Sequence, residues 1–427
     1  MINNSLNLQP GMKESDLHWK IGIQITPHMG ILLLIILCSA CQSSPSTAFD
    51  NPDSPISFWD KQRKGTNHFN VTPSEEWYEA AKSANLTFVR LVFEKWDGVQ
   101  RDFILGDADH YQGIVERDFQ QLKQYLDYAD SLGFHIVITP ISLPGDRWVQ
   151  SNDGQKDGRL WTDWTYREQA IQYWTDLATR LKGHPALVGY NLVNEPHPES
   201  YHQKHSFWNR DLPEWYQSVK DGPGDLNLFN RQMVEAIRRV DPLMPIIIES
   251  GLYATPWAFD YLEPLDDDRI IYSFHMYEPY FYVTKRLNQG RYTYPGTVPI
   301  EELGTDFHLN KESLDQFFDP VREWTAKHRI PANRIWVSEF GCDRSLAGAE
   351  DYLSDLIDIF NAEGWHWSFY TFREDDGWEA MDYELGKGPV HYTYWEYQEN
   401  KTMHLHYDSI YGGITDSFWS DFAKEFE

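Results

Sequence analysis

Positive charge is what this chain has least of. Its 37 Lys and Arg stand against 65 Asp and Glu, a formal net charge of −28. No basic stripe exists to neutralise phosphates, so nucleic acid is excluded as a partner. The same deficit excludes adhesion to an anionic membrane surface. Cysteine is nearly absent, with only Cys38, Cys41 and Cys342. Two of these precede the body of the chain, so no internal disulfide framework can form. Cys342 reads as a small buried residue and not as a catalytic thiol. No Gly-rich phosphate loop opens a helix, so no nucleotide cofactor is expected. His202 with His205, and His404 with His406, lack convincing ligand spacing, so no metal is expected either.

Long apolar runs are also missing. The most compact is Met29–Leu37, too short for an ordinary membrane-spanning helix. Lys13, Lys20 and His28 precede it and Cys38-Ser39-Ala40-Cys41 follows it, a layout that suits an export signal. Residues 1–41 resemble a bacterial lipoprotein signal, which implies cleavage before Cys41, lipid attachment to its sulfur, and anchorage in the periplasm or at the cell surface; a plain secretory signal, giving a secreted protein, is the alternative. Cys38 departs from that pattern, where Leu is usual. Residues 42–55 are rich in Ser and Pro and read as a tether, leaving 56–427 as one folded domain.

What the body does have is alternation of strand and helix. Strands are expected at 63–67, 85–93, 134–139, 187–193, 245–248, 269–274, 334–338 and 365–372. Helices are expected between most of them, for example Gly113–Leu132, stopped by Gly133. The strand at 85–93 has the continuous apolar character expected of a strand buried on both faces. Eight such units predict an α/β fold, specifically a (β/α)8 TIM barrel. The stretch 373–415 is too long for a bare loop and is expected to be an enlarged last βα connection over the active site.

In such a barrel, chemistry sits where strands end. The strand ends carry Arg90, Asn194 and Glu195, His275 and Tyr277, and Glu339. With so many acidic residues a single glutamate means little. Two glutamates closing distant strands supply the pair of carboxyls that glycoside hydrolysis requires. The 18 Trp and 25 Tyr serve mostly as packing, but some are expected to present flat faces to sugar rings.

The set Asn194-Glu195-Pro196, His275-Met276-Tyr277, Ser338-Glu339-Phe340-Gly341 and Arg90 resembles glycoside hydrolase family 5, the cellulase-like family, across about residues 63–372. The resemblance implies a retaining hydrolase of β-linked glucan, of endo-β-1,4-glucanase type. A β-mannanase, or a carbohydrate-binding lipoprotein with weakened catalysis, is the alternative. It implies Glu195 as acid/base and Glu339 as nucleophile. Arg90 would hold Glu339 ionised, Tyr277 would orient it, Asn194 would reach the sugar 2-hydroxyl, and His275 would support the cleft. The expected partner is a β-linked polysaccharide or oligosaccharide, and the expected state a monomer. Two positions depart from the family. Ile141 stands where a His is usual after strand three. Strand eight offers Tyr370, or alternatively Trp367, where a Trp lies under the reactive sugar; Trp378 is a third candidate platform.

Overall fold

The computed structural model describes residues 54–69, 72–93, 95–202, 211–300, 305–374, 380–386 and 417–427. The export segment with Cys41, most of the tether, Trp378, His205, His404, His406 and most of 373–415 lie outside the described residues.

Eight parallel strands close into a barrel. They are β1 (Lys64–His68), β2 (Phe88–Val92), β3 (His135–Thr139), β4 (Leu187–Asn191), β5 (Ile246–Glu249), β6 (Ile270–Met276), β9 (Ile335–Phe340) and β10 (His366–Phe369). Each pairs with its neighbour in chain order, and β10 returns to β1. Helices α1 (Glu75–Ser83), α2 (Glu116–Ser131), α3 (Trp164–Leu181), α4 (Leu212–Val219), α5 (Leu226–Val240), α6 (Lys311–Gln316), α7 (Asp319–His328), α8 (Ala349–Glu363) and α9 (Ser417–Phe422) are the longer ones. Local chemistry sets their ends. Ser74 caps α1 by accepting from Trp77 N, Asp163 caps α3 from Thr165 N, and Gly364 ends α8 in the left-handed conformation.

All eight expected barrel strands are present. The sequence pattern missed the antiparallel hairpin between β6 and β9, formed by β7 (Gly296–Ile300) and β8 (Thr305–Leu309). It also missed a plug. The 3₁₀ turn Pro55–Asp60 places Ile56, Phe58 and Trp59 against Phe88, Val137, Val188, Ile247, Ile271 and Trp336. Those six side chains come from six strands and form the lowest interior layer of the barrel. Trp59 is wholly buried and donates Nε1–H to Val188 O at 2.9 Å, so its one polar atom is satisfied where water cannot reach.

That layer fixes which residues face inward above it, because side chains alternate along a strand. Phe88 points in, and so does Arg90 two residues on. Ile247 points in, and so does Glu249. Ile271 is followed by Ser273 and His275.

Candidate active site

Arg90 is the hub of the barrel mouth. A fully buried guanidinium is tolerated only when its donors are matched by acceptors, and here β1, β4, β5 and β9 supply them. Nε donates to Asn191 Oδ1 at 2.9 Å and Nη1 to Asn67 Oδ1 at 3.2 Å. Nη1 also donates to Glu339 Oε1 at 2.5 Å, and Nη2 to Asn194 Oδ1 at 2.8 Å and Glu249 Oε1 at 2.7 Å.

Simple alternation would turn Glu339 outward, since Trp336 and Ser338 precede it on the inward face. The β6–β9 pairing shows how it comes inside. Phe274 pairs with Val337, but His275 pairs with Glu339, so Ser338 is the extra residue of a bulge. A bulge re-aims the side chain that follows it. Glu339 then offers Oε1 to Arg90 and Oε2 to the Tyr277 hydroxyl at 2.9 Å. Both oxygens carry a donor, and the plane of the carboxyl is fixed.

Glu195 lies beyond the end of β4, with its side chain about one-fifth exposed. Its φ is +51°, a conformation uncommon outside glycine. Hydrogen bonds hold both sides of the residue. Its N–H donates to Glu249 Oε2 at 2.8 Å, and its carbonyl lies 2.8 Å from His197 Nδ1. Its carboxyl Oε1 is 3.0 Å from His275 Nδ1. Asn194 is anchored through Oδ1 on Arg90, which leaves its amide nitrogen as the end that can serve a ligand.

The electrostatics follow from burial and charge. Burial pushes the Glu339 carboxyl up from the usual range, His275 and Arg90 pull it down, and Glu195 and Glu249 push it up again. Arg90 thus acts toward keeping Glu339 ionised, but burial is the larger effect. Burial would lower His275, but the charges of Glu339 and Glu249 and the hydrogen bond to Glu195 raise it to about 10. Burial and Glu339 together push Tyr277 well above its ordinary value.

One donor atom each from Glu195, His275 and Glu339 lies within 4.8 Å of the other two, a spacing that a cation could bridge. Those groups are already engaged with one another, with Arg90 and with Tyr277, and the Arg90 guanidinium and the His275 imidazolium bring positive charge to the cluster.

Strand eight corrects one expected platform. Ser368 faces the interior, where its Oγ accepts from Trp336 Nε1 at 3.2 Å. Trp367 therefore points outward. It is fully buried, stacked on Phe422 with ring centroids 6.1 Å apart and edge-on to Phe340 at 5.7 Å, and no sugar can reach it. Tyr370, of the same parity as Ser368, sits at the mouth edge-on to Phe69. Ile141 is buried after β3.

The residue that sequence reasoning missed is Glu249. It closes β5 just as Glu339 lies at the end of β9, and the run Pro245-Ile246-Ile247-Ile248-Glu249 carried the signal.

An eight-stranded parallel barrel whose mouth holds paired glutamates around a buried arginine defines a glycoside hydrolase. The family model described as Cellulase (glycosyl hydrolase family 5) matches residues 50–376, and the chain belongs to that family. Endoglucanase C of Acetivibrio thermocellus is 23% identical over 347 residues, covering 74% of this chain and 87% of the relative. A solved hyperthermophilic endo-β-1,4-glucanase in complex with substrate matches with a TM-score of 0.54 at 18% identity, covering 84% of this chain and 99% of that one. Cel5A of Thermotoga maritima in complex with mannotriose matches with a TM-score of 0.53 at 17% identity, covering 74% and 92%.

Proposed function

We propose that this chain hydrolyses β-1,4-linked glucan with retention of anomeric configuration. The observation that carries the reading is the closeness of the two carboxyls, with oxygens of Glu195 and Glu339 within 4.8 Å. Retaining enzymes separate the pair by about 5–5.5 Å, whereas inverting enzymes leave about 6.5–9.5 Å for a water.

Glu339, fixed by Arg90 and Tyr277, attacks the anomeric carbon. Glu195, the more exposed carboxyl, protonates the departing glycosidic oxygen and then takes a proton from the water that releases the glycosyl-enzyme. Asn194 offers its amide to the 2-hydroxyl, and Tyr370 is the platform at the mouth. The glucan preference rests on the endoglucanases among its relatives; a mannotriose complex among the solved structures makes mannan the natural competitor. The test is hydrolysis of soluble β-1,4-glucan and β-mannan side by side, with NMR of the first-formed anomer. Turnover of mannan alone overturns the glucan assignment, and an inverted first product overturns the mechanism. Glycan binding without turnover, unchanged by Glu195→Gln and Glu339→Gln, would favour a binding lipoprotein.

We also infer export with lipid on Cys41, supported by the residues around it. Cys41→Ala is expected to move the protein from the membrane fraction to the soluble fraction; an unchanged distribution overturns it.

A further inference from the structure

We infer that Glu249 is a positioning residue that holds Glu195 in the conformation needed for proton transfer to the leaving group. The inference rests on the retaining reading proposed above.

Glu249 is fully buried at the end of β5 and touches neither the cleft nor the reacting atoms. Its two oxygens do different work. Oε1 takes Arg90 Nη2 at 2.7 Å, and Oε2 takes the backbone N–H of Glu195 at 2.8 Å. A counter-ion for Arg90 would need only the first of these contacts. The second falls on the peptide of a residue in the left-handed region at φ +51°. A non-glycine residue persists there only when its surroundings hold it. His275 closes the arrangement, with Nδ1 3.0 Å from Glu195 Oε1 and Nε2 3.5 Å from Glu249 Oε1. Glu249 thus reaches Glu195 by two routes, through its peptide and through the imidazole that faces its carboxyl.

The charge state fits an acceptor. Burial would raise the Glu249 carboxyl, but Arg90 and His275 outweigh it and hold it at about 2. As a carboxylate, Glu249 can accept from both donors at once. A glutamine cannot, since its amide nitrogen would confront one of them.

The experiment compares wild type with Glu249→Gln on two aryl β-cellobiosides, reading kcat/KM, which reports the glycosylation step. Phenolate leaves only with the help of a proton, whereas 2,4-dinitrophenolate leaves without one. A misplaced acid should therefore cost about 10²-fold on the phenyl substrate and at least tenfold less on the dinitrophenyl one. An equal loss on both substrates, or no loss on either, overturns the inference. If Glu249→Gln unfolds, Glu249→Asp carries the same comparison, because it keeps the charge and withdraws the oxygens by one methylene. A wild type that cleaves neither cellobioside contradicts the proposed function and not this inference, which a crystal structure of the variant then decides. Glu195 is expected to leave its left-handed conformation, and an unmoved Glu195 overturns the role.

Discussion

His275 Nδ1 lies 3.0 Å from Oε1 of Glu195, while the Nε2 of the same ring lies 3.7 Å from Oε1 of Glu339. One imidazole therefore stands between the two glutamates, and its charge couples folding to pH. Burial alone would lower its value, but Glu339, Glu249 and Glu195 raise it to about 10. The folded value exceeds the unfolded one, so stability from His275 is fully present below about pH 6.5 and is lost as pH rises through about 10. Thermal unfolding of wild type and His275→Gln between pH 6 and 10 checks this. The advantage of wild type is expected to be largest at pH 6 and to shrink toward pH 10.

As the proposed nucleophile, Glu339 should set the acid limb of activity. The nucleophile must be ionised, and burial pushes its value above the ordinary carboxyl range. Activity is therefore lost as pH falls, at a pH higher than an exposed glutamate would give. A kcat/KM profile with an acid limb at or below about pH 4.3, the unperturbed glutamate value, would contradict this.

Removing Glu195, the proposed acid/base, should leave a recognisable signature. Glu195→Ala is expected to lower kcat/KM by about 10²–10⁴-fold on substrates with poor leaving groups. Azide can occupy the vacated space and attack the glycosyl-enzyme from the face that water uses. On an activated aryl glycoside, where breakdown of the glycosyl-enzyme is the slow step, rescue of kcat with formation of the β-glycosyl azide is the expected outcome. An α-azide, or no rescue, would count against the assignment of Glu195.

Much of this site was legible in the sequence because barrel strands are apolar runs with sharp ends. Pro140 closes β3, and Glu195-Pro196 follows β4 closely. The parts that were not legible depend on parity and on long-range pairing. Trp367 and Tyr370 both lie on the last strand segment, and only the inward direction of Ser368 separates the core residue from the mouth residue. Glu339 faces inward because of a bulge at Ser338, and no local pattern encodes a bulge. Glu249 was visible as a strand end, but its importance comes from reaching Arg90, 159 residues away. Pro299 interrupts β7 and hid the hairpin, since proline within a run argues against a strand.

The plug at the other end of the barrel gives a prediction about stability alone. Trp59 packs against Phe88 and Trp336 with ring centroids 5.5 and 5.4 Å apart. Trp59→Ala is expected to cost about 3–5 kcal/mol in chemical denaturation. It should leave kcat intact where the protein is folded, because the plug and the glutamates occupy opposite ends of the strands. A kcat that falls in step with stability would mean that the two ends communicate.

Asp146, on the loop after β3, carries the opposite pH signature to an ion-paired carboxylate. Burial pushes it up to about 8, against the hydrogen bond it accepts from Trp161 Nε1 at 2.9 Å, and Asp157 adds to the rise. The native state therefore keeps a proton that the unfolded chain sheds. Stability is fully present below about pH 3.9 and falls as pH rises to about 8. Asparagine keeps an acceptor for Trp161 and cannot ionise. Asp146→Asn is expected to match wild type near pH 4 and to exceed it by about 1–3 kcal/mol at pH 8. A constant difference at both pH values would mean that the carboxyl does not change its charge over this range, and that its cost, if any, comes from packing.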